Sequence, residues 1–280
     1  MISKTKISVI CSGIRNYKWE QLYLNLSESI IDFELIIAGD VLPLKEMPQN
    51  FKHIYTEVKP AQCIEISARE AKGDLIMLIS DDLYFSKNFL DEYYKFYNEN
   101  CSESDISSSL FMRYGRFYES YNYQFWPGVK GSPYMPMSMM MKQSLWHKLG
   151  GIDNRFVALF GDLDLALRVM EIGGKIYFSK TLYVEEIMKD TIFNKIKNKI
   201  SKLIFKKTLT SKTLFKEYGR DIDRKTLDNL WTKKTNKYDS KSILARKGKF
   251  IHLKKRLSNV ITFDEYNILN ASQGFKGRWK

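Results

Sequence analysis

Short, fully apolar runs alternate with helical stripes along the first half of this chain, and few architectures accept that alternation. Ile7–Ile10, Phe33–Ala38 and Leu75–Ile79 each read as a buried strand, with His53–Thr56 a weaker one. Between the first two, Trp19, Leu22, Tyr23, Leu26 and Ile30 recur at the period of an amphipathic helix. Ile64, Ser67, Ala68 and Ala71 make a shorter helical face that ends at Gly73. A strand that is apolar on both faces needs cover on both. The pattern therefore predicts an α/β domain with a parallel sheet and crossover helices. Such sheets bind ligands beyond the carboxyl ends of their strands. Polar residues crowd those ends here, as Gly39-Asp40 and Ser80-Asp81-Asp82.

Beyond Asp82, Ser86 is placed to cap a helix running through Tyr97, and Ile106–Met112 reads as a strand. The segment from Gly115 to Tyr134, dense in Tyr, Phe and Trp and containing Trp126-Pro127-Gly128, suits either a packed flap or a sugar-stacking surface. Met135–Met141 reads as a strand, its methionines as adaptable core filling, followed by a helix over Ser144–Leu149 that closes at Gly150-Gly151. From Gly161, the residues Leu163, Ala166, Leu167 and Met170 share one helical face. That helix stops at Gly173-Gly174, and Lys175–Phe178 returns to the sheet. Asp162 then lies at a helix N-terminus, where the dipole and free N–H groups favour an ionised carboxylate.

Two acidic pairs carry the chemistry this pattern allows. Asp81-Asp82 at a strand end could place a divalent cation against diphosphate oxygens, since hard cations take oxygen ligands and need only one or two protein carboxylates. The same pair could equally be a solvated turn. Asp162 and Asp164 could supply a general base, or could be first-turn residues placed for the helix dipole. Each pair, taken alone, leaves both readings open.

Together they resemble the inverting, GT-A-type glycosyltransferases of family two. The resemblance rests on Ile-Ser-Val-Ile at 7–10, Glu34-Leu-Ile-Ile-Ala-Gly-Asp40 and Ala71-Lys-Gly-Asp-Leu-Ile-Met-Leu-Ile-Ser-Asp-Asp82. It continues through Gly150-Gly-Ile-Asp-Asn-Arg-Phe156 and Gly161-Asp-Leu-Asp-Leu-Ala-Leu-Arg168, followed by Gly173-Gly-Lys-Ile-Tyr-Phe178. These motifs come in the family's order and span residues 5–185. The resemblance implies a GT-A (Rossmann-like) fold, a mixed, mainly parallel sheet flanked by helices, and a nucleotide-sugar donor, UDP-linked by the family's commonest habit, with Ser12, Asp40, Asp81 and Asp82 around it. It implies Mn²⁺ or Mg²⁺ on Asp82, with His252 as a further ligand unless it is a structural histidine on its apolar segment, and Asp162 as the catalytic base. The implied acceptor is a carbohydrate or lipid-linked saccharide of bacterial surface polysaccharide or lipopolysaccharide synthesis. The chain departs from the family's pattern at Gly39, at Ile64-Glu65, at Ser80, which replaces the first Asp of the metal motif, and at Gly161.

Charge divides the chain. Of a net +13, residues 191–280 carry 24 Lys+Arg against 7 Asp+Glu, or +17, which leaves −4 for residues 1–190. The expected organisation is a catalytic domain at 1–190 and a basic, mainly helical region at 191–280. Ile192, Phe193, Ile196, Ile200, Leu203 and Ile204 form an apolar stripe among lysines, the form of a helix lying in a membrane interface. Contact with anionic lipid, packing on the first domain and nucleic-acid binding all remain open for it. The last is disfavoured by the lack of a nucleic-acid fold or zinc spacing. Cys11, Cys63 and Cys101 lack metal spacing and an even count, which points to reduced thiols. With no signal-like N-terminus and no membrane-length apolar run, the expected location is cytoplasmic, peripheral to the inner membrane face. Two rival functions stand beside the transferase: a nucleotide-sugar binder without catalysis, and a nucleic-acid binder acting through the basic region.

Overall fold

The computed structural model describes residues 5–56, 58, 60–113, 116–117, 134–153, 155–186 and 223–227. The apolar runs form the centre of one nine-stranded sheet in the order β3-β2-β1-β4-β8-β6-β9-β5, with β7 (Arg116–Phe117) paired to β6. Strands β1 (Ile7–Ser12), β2 (Phe33–Gly39), β3 (Phe51–Tyr55) and β4 (Leu75–Leu78) are parallel, joined by α1 (Asn16–Leu26) and α2 (Pro60–Arg69). Strand β8 (Met140–Lys142) runs antiparallel to both β4 and β6 (Ile106–Arg113). Strand β9 (Ile176–Glu186) lies parallel to β6 and antiparallel to β5 (Leu83–Phe85).

Alternation along each central strand divides the core into two layers. Ile10, Ile36 and Ile76 face α2, α4 (Gln143–Leu149) and α5 (Gly161–Glu171), while Val9, Leu35, Ile37 and Met77 face α1 and α3 (Phe89–Asn100). Gly73 admits the turn into β4 because its backbone passes so close to β1: a Cβ there would lie 2.6 Å from the Ser8 nitrogen. The expected α/β class and mixed, mainly parallel sheet are therefore the observed ones.

Several expected boundaries moved, each for a tertiary reason. Helix α1 ends at Leu26, and Ile30 is 95% exposed, because the N–H groups of Ile30 and Ile31 are taken by the Asp91 carboxylate of α3. Ser86 does not cap α3. Its N–H pairs with the Tyr183 carbonyl in β9, and the first turn of α3 is served instead by the Ser29 hydroxyl on the N–H of Leu90. The expected strand over Met135–Met141 shortens to β8 because Ser138 adopts φ 42°, outside extended backbone. β9 runs past Phe178 to Glu186, and its last residues pair with β5, a strand too short to read from pattern. The stripe at 192–204 and nearly all of the aromatic segment lie outside the described residues. Among the described residues no helix is long and apolar enough to cross a membrane.

The loop from Leu149 to Ile152 is clamped from two sides. Gly151, at φ 67°, lies against Glu65, whose carboxylate accepts the Ile152 N–H at 2.9 Å and the Trp146 indole N–H at 3.0 Å. From the other side the fully buried Arg168 donates to the carbonyls of Leu149 and Gly151 and pairs with Asp164 at 2.9 Å, also fully buried. Removing one member of a buried pair leaves the other charge uncompensated. Arg168→Met is expected to lower stability by about 3–5 kcal/mol in urea unfolding, and Arg168→Met with Asp164→Leu together to recover part of that loss.

Candidate functional site

The carboxyl ends of β1 and β4 meet the N-terminus of α5 around a cavity of about 360 Å³. Ser12, Ser80, Asp82 and Asp162 line it together with Arg15, Phe111, Phe160 and Glu186. Residues 80 positions apart in sequence, Asp82 and Asp162, thus share one chamber.

Its floor is organised by Asp81, which is 1% exposed. One carboxylate oxygen accepts the backbone N–H groups of Ile14 and Arg15, both at 2.7 Å, and the Trp19 indole N–H at 3.2 Å. The other oxygen accepts from the Arg15 guanidinium, whose Nη2 reaches on to Asp82 Oδ2 at 3.1 Å. Burial on its own would lower the Arg15 pKa, but Asp81 and Asp82 outweigh it and the net shift is upward, so Arg15 stays charged. Asp82 shifts upward, first through burial and then through Asp81 and Glu186, against the pull of Arg15 and Lys18.

These contacts decide how the chain could meet the divalent cation that the resemblance implies. Asp81 has spent both oxygens on protein donors, Ser80 offers a hydroxyl, and Asp82 has an oxygen on a fixed guanidinium. Among the described residues no group of three His, Cys, Asp or Glu side chains is placed to hold a metal ion. A dication at Asp82 would sit against a guanidinium, and the donor set does not fit it. His252 lies outside the described residues. Asp40 lies two residues past the register pair of Ser12 with Ala38, at the neighbouring strand end, and does not line the cavity.

Across the chamber, Asp162 stands in the first turn of α5 and accepts the Leu163 N–H at 2.9 Å. The helix end alone would favour the ionised form. Burial overrides it here and pushes the Asp162 carboxyl above the usual carboxylate range, with the N–H groups of Leu163 and of Asp162 itself as lesser opposing influences. Asp164, the second member of the pair, points into the core and serves Arg168.

Three contributors escape sequence reasoning. Arg15 was an unmarked cation in a loop, and Glu186 reaches the cavity only because β9 extends to pair with β5. The third is Asp223, an acidic residue in the basic region. Its buried carboxylate accepts the consecutive N–H groups of Val157, Ala158 and Leu159 at 2.7, 2.9 and 2.8 Å. It begins a helical turn at 223–227 that buries Leu227 in the core and sets Arg224 5.6 Å over the Phe160 ring. Phe160 itself holds φ 63°, a conformation costly for an aromatic residue and sustained by this packing.

No protein-family model and no curated protein sequence matches the chain. Solved structures do. A 1–349 fragment of S. aureus TarS in complex with UDP superposes with a TM-score of 0.51 at 15% identity, over 95% of this chain and 78% of that one. The same fragment in complex with UDP-GlcNAc gives 0.50 at 14%, over 97% and 88%. A longer TarS structure gives 0.50 at 14%, and this chain spans about half of it, 53%. The likeness shows the fold alone, the GT-A fold that the motifs lead one to expect.

Asp223→Ala leaves three adjacent N–H groups without their acceptor. Amide exchange at residues 157–159 is expected to accelerate at least about tenfold, with β1 and β2 unchanged, read by hydrogen-exchange mass spectrometry.

Proposed function

We propose that this chain is an inverting glycosyltransferase that moves a sugar from a nucleotide-sugar donor, UDP-linked, to a hydroxyl of a carbohydrate or lipid-linked acceptor. The observation that carries the reading is the shared chamber: Asp82, past the end of β4, and Asp162, in the first turn of α5, line one cavity, and burial raises the pKa of the Asp162 carboxyl. The fold's likeness to TarS, seen with UDP and with UDP-GlcNAc, supports the donor class.

In this reading the donor's nucleotide lies over the ends of β1 and β2, near Ser12 and Asp40, with its diphosphate toward Arg15 and Asp82. Asp162 accepts the proton of the acceptor hydroxyl as that oxygen attacks the anomeric carbon. The bond from that carbon to the phosphate oxygen breaks, and its electron pair leaves with the nucleoside diphosphate. Attack opposite the leaving group inverts the centre. A base shifted upward by burial is more basic than a solvated aspartate and better matched to a hydroxyl proton. The basic region 191–280 would bring this chamber to an anionic lipid surface at the inner membrane face, where a lipid-linked acceptor of surface polysaccharide or lipopolysaccharide synthesis is found.

A thermal-shift screen of the full chain against UDP-, GDP-, dTDP- and CMP-sugars tests the donor class, and nucleotide release with added acceptors tests turnover. Stabilisation by UDP-sugars alone is expected. Binding without turnover on any acceptor would make the chain a binder, and a shift with oligonucleotide alone would move its function to the basic region. Asp162→Asn should keep donor binding while kcat falls about 10²–10⁴-fold.

The raised Asp162 pKa sets the sign of the pH dependence. The base is competent only when ionised, so kcat rises with pH through a midpoint above the ordinary 3.8. Residual turnover in Asp162→Asn should lack that acidic limb.

A further inference from the structure

We propose that the Arg15 guanidinium is the built-in cation on which the donor's diphosphate docks, so that donor binding by this chain does not depend on a divalent ion. The proposal rests on the nucleotide-sugar reading of the cavity and departs from the metal that the resemblance implies.

Arg15 is held in place by more than its own side chain. Asp81 grips the backbone at Ile14 and Arg15 and, through its second oxygen, the guanidinium, while Nη2 leans on Asp82 at 3.1 Å. The side chain is still 35% exposed and lines the cavity. A guanidinium has five N–H donors in a rigid fork, and the carboxylates leave part of that fork for a second anion. The fork matches two phosphate oxygens, which a point charge does not. Ser12 and Ser80 line the same cavity and carry hydroxyls that can donate to further phosphate oxygens.

The acidic residues point the same way. In a metal-bridged site the adjacent aspartates hold the ion. Here Asp81 is consumed in fixing an arginine, and Asp82 supports that arginine's far edge. The carboxylates act as the holder of an organic cation. Lys18 adds a second positive group close enough to lower the Asp82 pKa. Little reorganisation is needed when the donor arrives, because the guanidinium is already held by Asp81 and Asp82, and Asp81 is itself fixed by the backbone of Ile14 and Arg15 and by the Trp19 indole.

Titration calorimetry on the full chain tests this, comparing UDP with uridine, in EDTA and in Mn²⁺, for the wild type, Arg15→Gln and Arg15→Lys. The wild type should bind UDP in EDTA within about threefold of its affinity in Mn²⁺. Arg15→Gln should weaken UDP about 10- to 100-fold with uridine unchanged, and Arg15→Lys, which keeps charge but loses the fork, should fall between. Unchanged uridine affinity also certifies that the variant is folded. If Arg15→Gln does not fold, the EDTA comparison on the wild type and Arg15→Lys decides. UDP binding that disappears in EDTA overturns the proposal while leaving the nucleotide-sugar reading intact. Equal loss for UDP and uridine, or no loss for either, overturns it as well. Absence of binding by the wild type to both ligands overturns the nucleotide-sugar reading and the proposal with it.

Discussion

One carboxylate organises the site. Asp81 is buried at the end of the central strand β4, where an ionised group without partners would cost several kcal/mol. It is stable there because the loop after β1 folds over it and supplies two backbone N–H groups and a guanidinium, and the first turn of α1 adds the Trp19 indole. The same contacts fix that loop and the direction of Arg15. Asp82, the next residue, is turned to the cavity as a consequence of its neighbour's commitment to the interior.

The facing wall is built by a separate set of constraints. Glu65 from α2 and Arg168 from α5 close on the Leu149–Ile152 loop, which carries the chain from α4 toward the start of α5. Asp223 then gathers residues 157–159 directly before that helix, and Leu227 anchors the turn in the core. Asp162 is therefore presented by a segment held on three sides, one of them from far along the chain. Residues 223–227 of the basic region thus pack against the segment that presents Asp162.

Legibility in the sequence followed the range of the interaction. The central strands could be read because apolar runs bounded by Gly and Asp encode burial locally, and α2 and α5 because their faces repeat within one helix. The end of α1 could not be read, since Ile30 continues the helical period but Asp91, 61 residues on, claims its N–H. Nor could the shortening of β8, which turns on one backbone angle at Ser138. In the cavity, Asp82 and Asp162 were visible as polar groups at element ends, and Ser12 through the resemblance alone. Asp81 was equally visible as a residue, but its engagement with Arg15, Ile14 and Trp19 was not.

The sequence by itself determined the α/β class, the order of the central elements and the family of motifs, because hydrophobic periodicity and strand-end polarity are local properties of a chain. Only the tertiary structure decided what each charge does. Whether an aspartate faces a ligand or a loop, and whether a helix end leaves its carboxylate ionised or burial raises its pKa, depends on which distant groups share its low-dielectric surroundings. Asp81 with Arg15, Asp162 at the buried start of α5, and Asp223 beneath residues 157–159 all owe their roles to neighbours that no window along the chain contains.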